Sequence, residues 1–277
     1  MSNPDNISAH YGRQDLLERI LAVLKQTGID PVQLEAKQLY PVDQLHMGGR
    51  QATRELAEKL KLTSDINLLD VGSGLGGTAR LLASEYGCQV TAIDLTESFC
   101  RASEKLTALT GLSNKIVTVQ GDAVATGLPD AAFDLIWCQH TQMNIADKPG
   151  LLREFHRLLK PTGRVALHEV FAGSVTAEPI QYPLPWASDA SASFLISADE
   201  MLTLATREGF ELLEKQALSN EAQAWWEALL TRIGKAPGGG LGPGLIYGEQ
   251  SRQFGPNIID NLRHQRIAVY EMILRRP

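Results

Sequence analysis

The sequence has few cysteines and no excess of basic residues. Its three cysteines, Cys88, Cys100 and Cys138, are scattered over 277 residues. An odd, dispersed set argues against a disulfide framework and against a cysteine-based metal site, so we expect no bound metal and a reducing compartment. The formal net charge of -6 is not the positive excess with which proteins coat phosphate backbones, and nucleic acid is not an expected partner.

Long apolar runs are also missing. The first twenty residues contain no apolar stretch bounded by a small-residue cleavage site, and no uninterrupted apolar run follows later. The sequence therefore predicts neither export nor a membrane span, and it favours the cytoplasm. With 44% hydrophobic residues over this length, one large α/β domain with additions is the expected organisation.

The middle of the chain alternates short β-rich runs with longer amphipathic stretches. This alternation predicts a parallel sheet wrapped by helices. Two further strands are expected near the C-terminus, which makes the sheet seven-stranded and mostly parallel. The expected strands are Asn67–Val71, Gln89–Asp94, Ile116–Gln120, Phe133–Cys138, Gly163–Phe171, Leu212–Leu218 and Ile267–Leu274.

Additional segments flank this α/β core. Leu16, Ile20 and Leu24 recur at helical spacing and, with a second helix near Gln51–Leu62, predict an N-terminal helical lid. Ser197, three residues before a glutamate, predicts the capped start of a later helix. The expected division is a lid at 1–62, a cofactor-binding core at 63–219, an insertion at 220–263 and a closing strand at 264–277.

Two features of the insertion leave alternatives open. The string PGGGLGPG is typical of a flexible connector, with a moving active-site flap as the alternative. Trp225 and Trp226 are adjacent, so on a helix they point in different directions and cannot both be core. One of them would then line the pocket or a subunit contact, which leaves a homodimer open.

A Gly-rich turn joins the first strand to a helix in the string LLDVGSGLGGTARLLA. Glycines at 72, 74, 76 and 77 let the backbone turn sharply and approach a ligand closely. Gly72, Gly74 and Gly77 also satisfy the dinucleotide pattern G-x-G-x-x-G. The turn alone therefore fits a nicotinamide cofactor and S-adenosylmethionine equally well.

Three acidic residues at strand ends distinguish between these two cofactors. Asp70 precedes the first glycine, where a carboxylate would repel a pyrophosphate and attract a sulfonium or amino group. Asp94, followed by Leu95, ends the second strand and is able to accept both ribose hydroxyls. Asp122 and Ala123 follow the third strand, where they would bracket an adenine. Helix capping for Asp94 and a turn role for Asp122 are the alternatives.

Further strings follow LDVGSGLGG in order and at ordinary spacing: VTAIDL, GDA, FDLIW and LLKPTGRVAL. The series resembles class I S-adenosylmethionine-dependent methyltransferases over nearly the whole chain. The resemblance implies a Rossmann-like fold, S-adenosyl-L-methionine as cofactor and in-line methyl transfer. The strings DQLHMGGRQAT and QHTQMNIADK are similar to the group that includes sarcosine and dimethylglycine methyltransferases. A small-molecule acceptor is therefore expected, with an amine nitrogen favoured.

Other functions stay open beside this one. Oxygen or carbon methylation in a biosynthetic pathway would need only a different acceptor pocket, which the lid and the insertion build. A non-catalytic module that senses S-adenosylmethionine is a third hypothesis, from another class.

The loop expected after the fourth strand carries three candidate residues. His140 is predicted to act as base or orienting group, with a merely hydrogen-bonded loop histidine as the alternative. Gln139 and Asn144 are expected to bind the methionine part of the cofactor or the substrate. The relatives often carry a histidine where this chain has Asn144, and because asparagine cannot act as a base, a mechanism that depends on that histidine does not transfer. Asp147 predicts the cap of the next helix, with Pro149 in its first turn.

The remaining candidates come from the fifth strand, the lid and a Pro-rich loop. Alternation places Glu169 on the opposite face of its strand from His168, where its carboxylate would hold an ammonium substrate as a second catalytic residue, unless it pairs with a lid cation such as Arg50. Tyr40 and His46 are expected to close over the substrate, with exposed lid residues as the alternative. Trp186 is expected to contact a methylated ammonium through its ring, with ordinary packing as the alternative.

Overall fold

A seven-stranded sheet forms the centre of the molecule in a computed structural model that describes residues 15–175, 177–233 and 240–277. The strand order is β3-β2-β1-β4-β5-β7-β6. Strands β1 to β5 run parallel, and β7 runs antiparallel to both β5 and β6. The strands are β1 Asn67–Val71, β2 Gln89–Asp94, β3 Ile116–Gln120, β4 Phe133–Gln139, β5 Leu159–Ala172, β6 Glu211–Ala217 and β7 Ile267–Arg275. The predicted α/β fold with a mostly parallel seven-stranded sheet is confirmed.

Helices cover both faces of this sheet and its carboxyl edge. Their bounds are α1 Leu16–Gln26, α2 Tyr40–Asp43, α3 Gly49–Leu60, α4 Gly77–Glu85, α5 Glu97–Leu109, α6 Lys148–Leu158, α7 Ala198–Arg207, α8 Ser219–Ile233, α9 Gly244–Tyr247 and α10 Ser251–Arg263. Part of the string PGGGLGPG, residues 237–239, lies outside the described residues, as does the start of the expected lid, residues 1–14.

Alternation along β1 assigns the helices to the two faces. Leu69 and Val71 join a cluster that contains residues of α6 and α7, whereas Leu68 joins a cluster with α3 and α4. Because successive side chains of a strand point to opposite faces, these are the two cores of a three-layer α/β sandwich.

A third apolar cluster joins the N-terminal helix to the insertion. Leu16, Ile20 and Leu24 recur every four residues along α1, and each is at most 1% exposed. They share this cluster with residues of α5, α8 and α10. Each such side chain contributes roughly 1.5–3 kcal/mol when fully buried. Burial of these apolar side chains therefore holds helix α1 against the rest of the molecule.

The fifth strand begins earlier than expected. The sequence predicts its start at Gly163, but β5 begins at Leu159. The pairing with β4 shifts register between Phe133 and Leu135, and Thr162 has a φ of 64°. An irregularity inside the strand therefore accommodates the turn-forming residues.

Both predicted helix caps are present. The Ser197 hydroxyl accepts from the Glu200 backbone N–H, and the Glu200 carboxylate accepts from the Ser197 N–H, as in a capping box. The Asp147 carboxylate accepts from Gly150 N–H at 2.8 Å. Among the helices of the described residues, none is long and apolar enough to cross a membrane.

Candidate functional site

A cavity opens at the carboxyl edge of the sheet, beside the point where the strand order reverses between β1 and β4. In open α/β sheets this crevice is where ligands bind. Its lining comes from the Gly-rich turn, the ends of β2 and β3, the loop after β4, the lid, the segment after β5 and the insertion. The residues predicted from sequence that line it are Asp70, Gly72, Gly74, Asp94, Leu95, Asp122, Ala123, Gln139, His140, Asn144, His46 and Trp186.

The Gly-rich turn passes close under the loop after β4. Gly72 has a φ of 69°, and a Cβ built on it would lie 2.2 Å from Thr141 Oγ1. A side chain at position 72 would therefore push the loop away from the turn. The Thr141 hydroxyl donates to the Val71 carbonyl at 3.0 Å, which ties the loop to the end of β1.

Asp70 is a buried carboxylate that faces the cavity. Asp70 is 2% exposed, and among the described residues its Oδ2 has no hydrogen-bond partner. Burial raises the pKa of Asp70 to about 7, and the nearby charge of Asp94 adds to the shift. A cation beside Asp70 would oppose both effects by favouring the ionised form, so the position is suited to a positively charged ligand.

Asp94 and Asp122 combine cavity lining with backbone contacts. The Asp94 carboxylate accepts from Gly74 N–H and Thr96 N–H, each at 2.8 Å. Thr96 is the residue that caps α5, so Asp94 organises this helix start and faces the cavity at once. Asp122 Oδ1 accepts from Val124 N–H at 3.0 Å in a turn. Each carboxylate retains lone pairs for a ligand.

The loop after β4 is held from below by Glu169. This side chain is fully buried, and its carboxylate accepts from Thr141 N–H at 3.1 Å, from Gln142 N–H at 3.3 Å and from the Cys138 thiol. Burial raises the pKa of Glu169 to about 7 despite these bonds. Glu169 is not among the described residues that line the cavity. The expectation that it holds the substrate is therefore corrected: its oxygens are occupied by the loop.

Lys148 closes the same loop from the start of α6. It is 2% exposed, and its ammonium donates to the carbonyls of Gln142 and Ile145. Burial lowers the pKa of Lys148 to about 8, while the Glu169 charge raises it. Glu169 accepting from N–H groups and Lys148 donating to carbonyls together hold the loop in one conformation.

This loop presents His140 to the cavity. Its backbone has a φ of 54°, and its N–H donates to the His168 carbonyl at 3.0 Å. The buried His140 Nε2 has no hydrogen-bond partner among the described residues. Burial, followed by the neighbouring histidines, lowers the pKa of His140 well below its usual value. The imidazole is therefore neutral at pH 7.

His140 belongs to a cluster of three imidazoles. Its ring centroid lies 5.2 Å from that of His168 and 6.1 Å from that of His46. Burial lowers the pKa of His46 to about 4 and that of His168 to about 3. In the part of the chain that the structure describes, no group of three or more His, Cys, Asp or Glu side chains is arranged to hold a metal ion.

Hydrogen bonds define which nitrogen carries the proton in two of these rings. His46 Nε2 lies 2.9 Å from the Gly49 carbonyl, which only accepts, so His46 is protonated on Nε2. Gln139 Oε1 accepts from Trp137 Nε1 at 3.0 Å, which orients the Gln139 amide. Its Nε2 then donates to His168 Nδ1 at 2.9 Å, so His168 also carries its proton on Nε2.

Asn144 and Trp186 join the loop to the segment after β5. The Asn144 amide donates to the carbonyls of Trp186 and Ala192 at 2.7 and 2.9 Å. Trp186 Nε1 donates to the Ser193 hydroxyl at 3.0 Å. Because the Asn144 amide nitrogen donates to these protein carbonyls, its side-chain oxygen is the group left to contact a ligand.

The structure places Tyr40 away from the cavity, contrary to the expectation that it closes over the substrate. The Tyr40 hydroxyl donates to Glu85 at 3.0 Å, and the Arg50 guanidinium lies 5.4 Å from the centre of its ring. It is not among the described residues that line the cavity. Trp226, 8% exposed, joins the core, while Trp225 is half-buried near Gly49, and neither lines the cavity within the described residues.

Sequence reasoning missed several cavity residues, among them Asp43 and Tyr247. Asp43 comes from the lid, and its carboxylate pairs with the fully buried Arg80 guanidinium at 2.7 Å; removing one partner of such a pair costs about 3–5 kcal/mol. Tyr247 comes from α9 in the insertion, and both its burial and the nearby Asp94 raise its pKa. The string DQLHMGG contained a signal for Asp43, but no sequence pattern singles out Tyr247.

Comparison with known proteins gives matches over the core and over the whole fold. Residues 69–167 match the family model described as a methyltransferase domain. A glycine/sarcosine/dimethylglycine N-methyltransferase of Actinopolyspora halophila is 30% identical over 132 residues, which cover 48% of this chain and 23% of that protein. A phosphoethanolamine N-methyltransferase of Zea mays is 32% identical over 164 residues, covering 59% and 31%. The chain thus spans less than a third of the length of these relatives.

Among solved structures, a geranyl diphosphate C-methyltransferase from Streptomyces coelicolor A3(2) superimposes with a TM-score of 0.70 at 16% identity. The superposition covers 99% of this chain and 97% of that one. At this identity the likeness establishes the fold, with the lid and the insertion included in its extent.

Proposed function

We propose that this chain transfers a methyl group from S-adenosyl-L-methionine to an amine nitrogen of a small molecule, and the match of residues 69–167 to the methyltransferase-domain model supports this proposal. The observation that carries the proposal is the convergence of Asp70, Asp94 and Asp122 from three adjacent strand ends on one cavity. Such an array is suited to a cationic nucleoside. The names of both sequence relatives, which are N-methyltransferases, favour nitrogen over oxygen or carbon as the acceptor atom.

The residues present fit the cofactor. Asp94 would accept the ribose hydroxyls with its free lone pairs, beside Leu95, and Asp122 with Ala123 would bracket the adenine. The unpartnered oxygen of Asp70 would face the positive charge of the methionine part. Gly72 lets the loop after β4 lie against the Gly-rich turn beside the cavity. When bound, the cofactor supplies an electrophilic methyl group on a sulfonium.

The protein has to align the acceptor nitrogen, in its neutral form, with that methyl group. In the displacement a nitrogen–carbon bond forms while the carbon–sulfur bond breaks, and its electron pair goes to sulfur. The acceptor amine must be neutral to attack, so an ammonium substrate first gives up a proton. Because burial lowers the pKa of His140 well below its usual value, its imidazole is too weak a base to take that proton, which passes to water before the amine binds. His140, neutral and with an unpartnered Nε2 in the cavity, is the group we assign to accept a hydrogen bond from the amine and orient its lone pair toward the methyl group. Positioning supplies the rest of the acceleration.

Incubation of the purified chain with methyl-labelled S-adenosylmethionine and amine, phenolic and carbon acceptors tests the proposal. Label on an amine supports it. Label on oxygen or carbon alone would replace nitrogen with that acceptor atom. Tight cofactor binding without transfer to any component of a broad metabolite extract would instead indicate a binding module.

Cofactor affinity is expected to depend on pH through Asp70. The burial-raised pKa of about 7 means that the free site is ionised above pH 7 and protonated below it. A bound cation favours the ionised form, so affinity should be full above pH 7 and fall by up to about tenfold for each pH unit below it. Titration calorimetry with S-adenosylmethionine at pH 8 and pH 6 measures this change, because S-adenosylhomocysteine lacks the sulfonium charge. Asp70→Asn should bind more weakly at pH 8 and show a flat profile; a flat wild-type profile contradicts the assignment.

Glu169→Gln is expected to lower turnover without removing the cofactor site. A glutamine offers one acceptor oxygen and an NH₂ group where the loop N–H groups of Thr141 and Gln142 need acceptors, which costs about 1–3 kcal/mol. His140 should lose its fixed position as the loop loosens. We expect a lower kcat, a melting temperature reduced by a few degrees and little change in S-adenosylhomocysteine affinity. Glu104→Gln on exposed α5 surface is the matched control, and an unchanged kcat for Glu169→Gln would show that the loop holds without it.

A further inference from the structure

Among the described residues, the charged side chains that face the cavity are acidic. Asp43, Asp70, Asp94 and Asp122 line it, and they come from the lid and from three strand ends. Asp43 is balanced by its 2.7 Å pair with Arg80. The other three lie on the side that we assign to a cofactor whose sulfonium and amino group give it a net positive charge.

Basic side chains near this site are directed to other partners. The Arg80 guanidinium is 0% exposed and also donates to the Leu75 carbonyl. Lys148 donates to carbonyls beneath the loop, and Arg50 lies over the Tyr40 ring. Within the described part of the chain, no lysine or arginine lines the cavity.

The histidines cannot replace those cations. His46 and His140 line the cavity, and burial lowers the pKa of both far enough that they are neutral at pH 7. With its proton on Nε2, His46 has its lone pair on Nδ1. The unpartnered Nε2 of His140 is a second site for a hydrogen bond. Together they offer hydrogen bonds without a positive charge.

Apolar side chains, which we call the apolar wall, also line this cavity, beside polar side chains of the loop after β4. Leu45 from the lid, Met143 and Ile145 from the loop, and Pro185 with Trp186 from the segment after β5 line it. Such a wall excludes water and strengthens every electrostatic interaction inside the cavity. An anionic group would then leave its hydration shell for a space that holds carboxylates and neutral rings.

We infer that the methyl acceptor is an amine with an apolar body and no anionic substituent, held by hydrogen bonds to His46 and His140 against the apolar wall. The inference rests on the proposed function and narrows it. It separates this chain from relatives whose names specify acceptors that carry a carboxylate or a phosphate, namely glycine and phosphoethanolamine. Acceptor recognition here depends on shape and neutral hydrogen bonds.

Matched acceptor pairs test the inference with the full chain. Tryptamine and tryptophan, and likewise ethanolamine and phosphoethanolamine, differ by one anionic group. In each pair, we expect kcat/KM for the amine without the anionic group to exceed that for the amine with it by at least about tenfold. One decade corresponds to about 1.4 kcal/mol of discrimination. Calorimetry in the presence of S-adenosylhomocysteine should give the same order of affinities for the two members of a pair.

The outcomes separate the two proposals. An equal or higher kcat/KM for an anionic member overturns this inference and leaves the proposed function intact. If S-adenosylhomocysteine binds but neither these amines nor any other acceptor is labelled, the proposed function fails and the inference fails with it.

A charge placed in the wall gives a second measurement. Leu45 is half-buried and lines the cavity, so Leu45→Lys would put an ammonium there with limited cost to packing, and Leu45→Met is its neutral control. We expect Leu45→Lys, but not Leu45→Met, to shift the kcat/KM ratio within each pair about tenfold toward the anionic member, as a new ion pair in a water-poor site would do. An unchanged ratio in a folded, cofactor-binding Leu45→Lys would show that charge at this wall does not select the acceptor.

Discussion

Asp94→Ala is expected to weaken S-adenosylhomocysteine binding by at least about 100-fold, because the two hydrogen bonds that we assign to ribose hydroxyls and this carboxylate would be lost at about 1.5–3 kcal/mol each. The same change removes the acceptor for Gly74 N–H and Thr96 N–H. The Gly-rich turn and the start of α5 should therefore become less ordered in the free protein, which adds to the loss.

Calorimetry measures this effect, and two variants control for folding. Asp94→Asn retains the shape and one acceptor oxygen, so its affinity should fall between those of the wild type and Asp94→Ala. Asp65→Ala removes a carboxylate that is exposed and should bind normally. Wild-type affinity in a folded Asp94→Ala would show that the cofactor does not bind in this cavity.

His140→Ala should lower kcat by about 10- to 100-fold, because a hydrogen bond that orients the amine, worth about 1–3 kcal/mol, is lost. Its effect on S-adenosylhomocysteine affinity should stay within about threefold, since His140 is assigned to the acceptor and not to the cofactor. Burial lowers the pKa of His140 well below its usual value, so Asp70, with a pKa of about 7, titrates first as the pH falls from 8. The acid limb of the activity profile should therefore follow Asp70.

Single-turnover rates of labelled methyl transfer distinguish a base from a residue that only orients the substrate. His140→Gln retains hydrogen bonding but cannot take up a proton, so it should recover most of the turnover that His140→Ala loses. A His140→Gln rate as low as that of His140→Ala would instead assign His140 the role of a base. His264→Ala is the control. His264 is exposed and directly follows α10, and its replacement is expected to leave kcat unchanged.

Much of the core was predictable because it is written in local patterns. The bounds of β1, β2 and β3 agree with the expected strands residue for residue, since short apolar runs between turn residues define buried strands. The caps at Asp147 and Ser197 involve residues only three apart in sequence. Asp70, Asp94 and Asp122 could be placed on one cavity because parallel strands end at the same edge of a sheet.

The acceptor side was less predictable because its contacts join distant segments. Glu169 was expected to face the substrate, since alternation specifies the face of a strand but not what lies against that face. The loop backbone at Thr141 and Gln142 occupies it instead. Tyr40 was expected at the pocket from its place in the lid, yet Glu85, 45 residues away, accepts its hydroxyl.

The sequence by itself determined the sheet, the Gly-rich turn and the acidic strand ends, because strand alternation, turn chemistry and capping act over a few residues. Only the tertiary structure decided the protonation and pairing of the side chains at the site that we assign to the acceptor. Its burial makes His46, His140 and His168 neutral, pairs Asp43 with Arg80 and brings Tyr247 beside the cofactor side. Desolvation and ion pairing depend on everything packed around a group, and that packing joins residues from the lid, the core and the insertion.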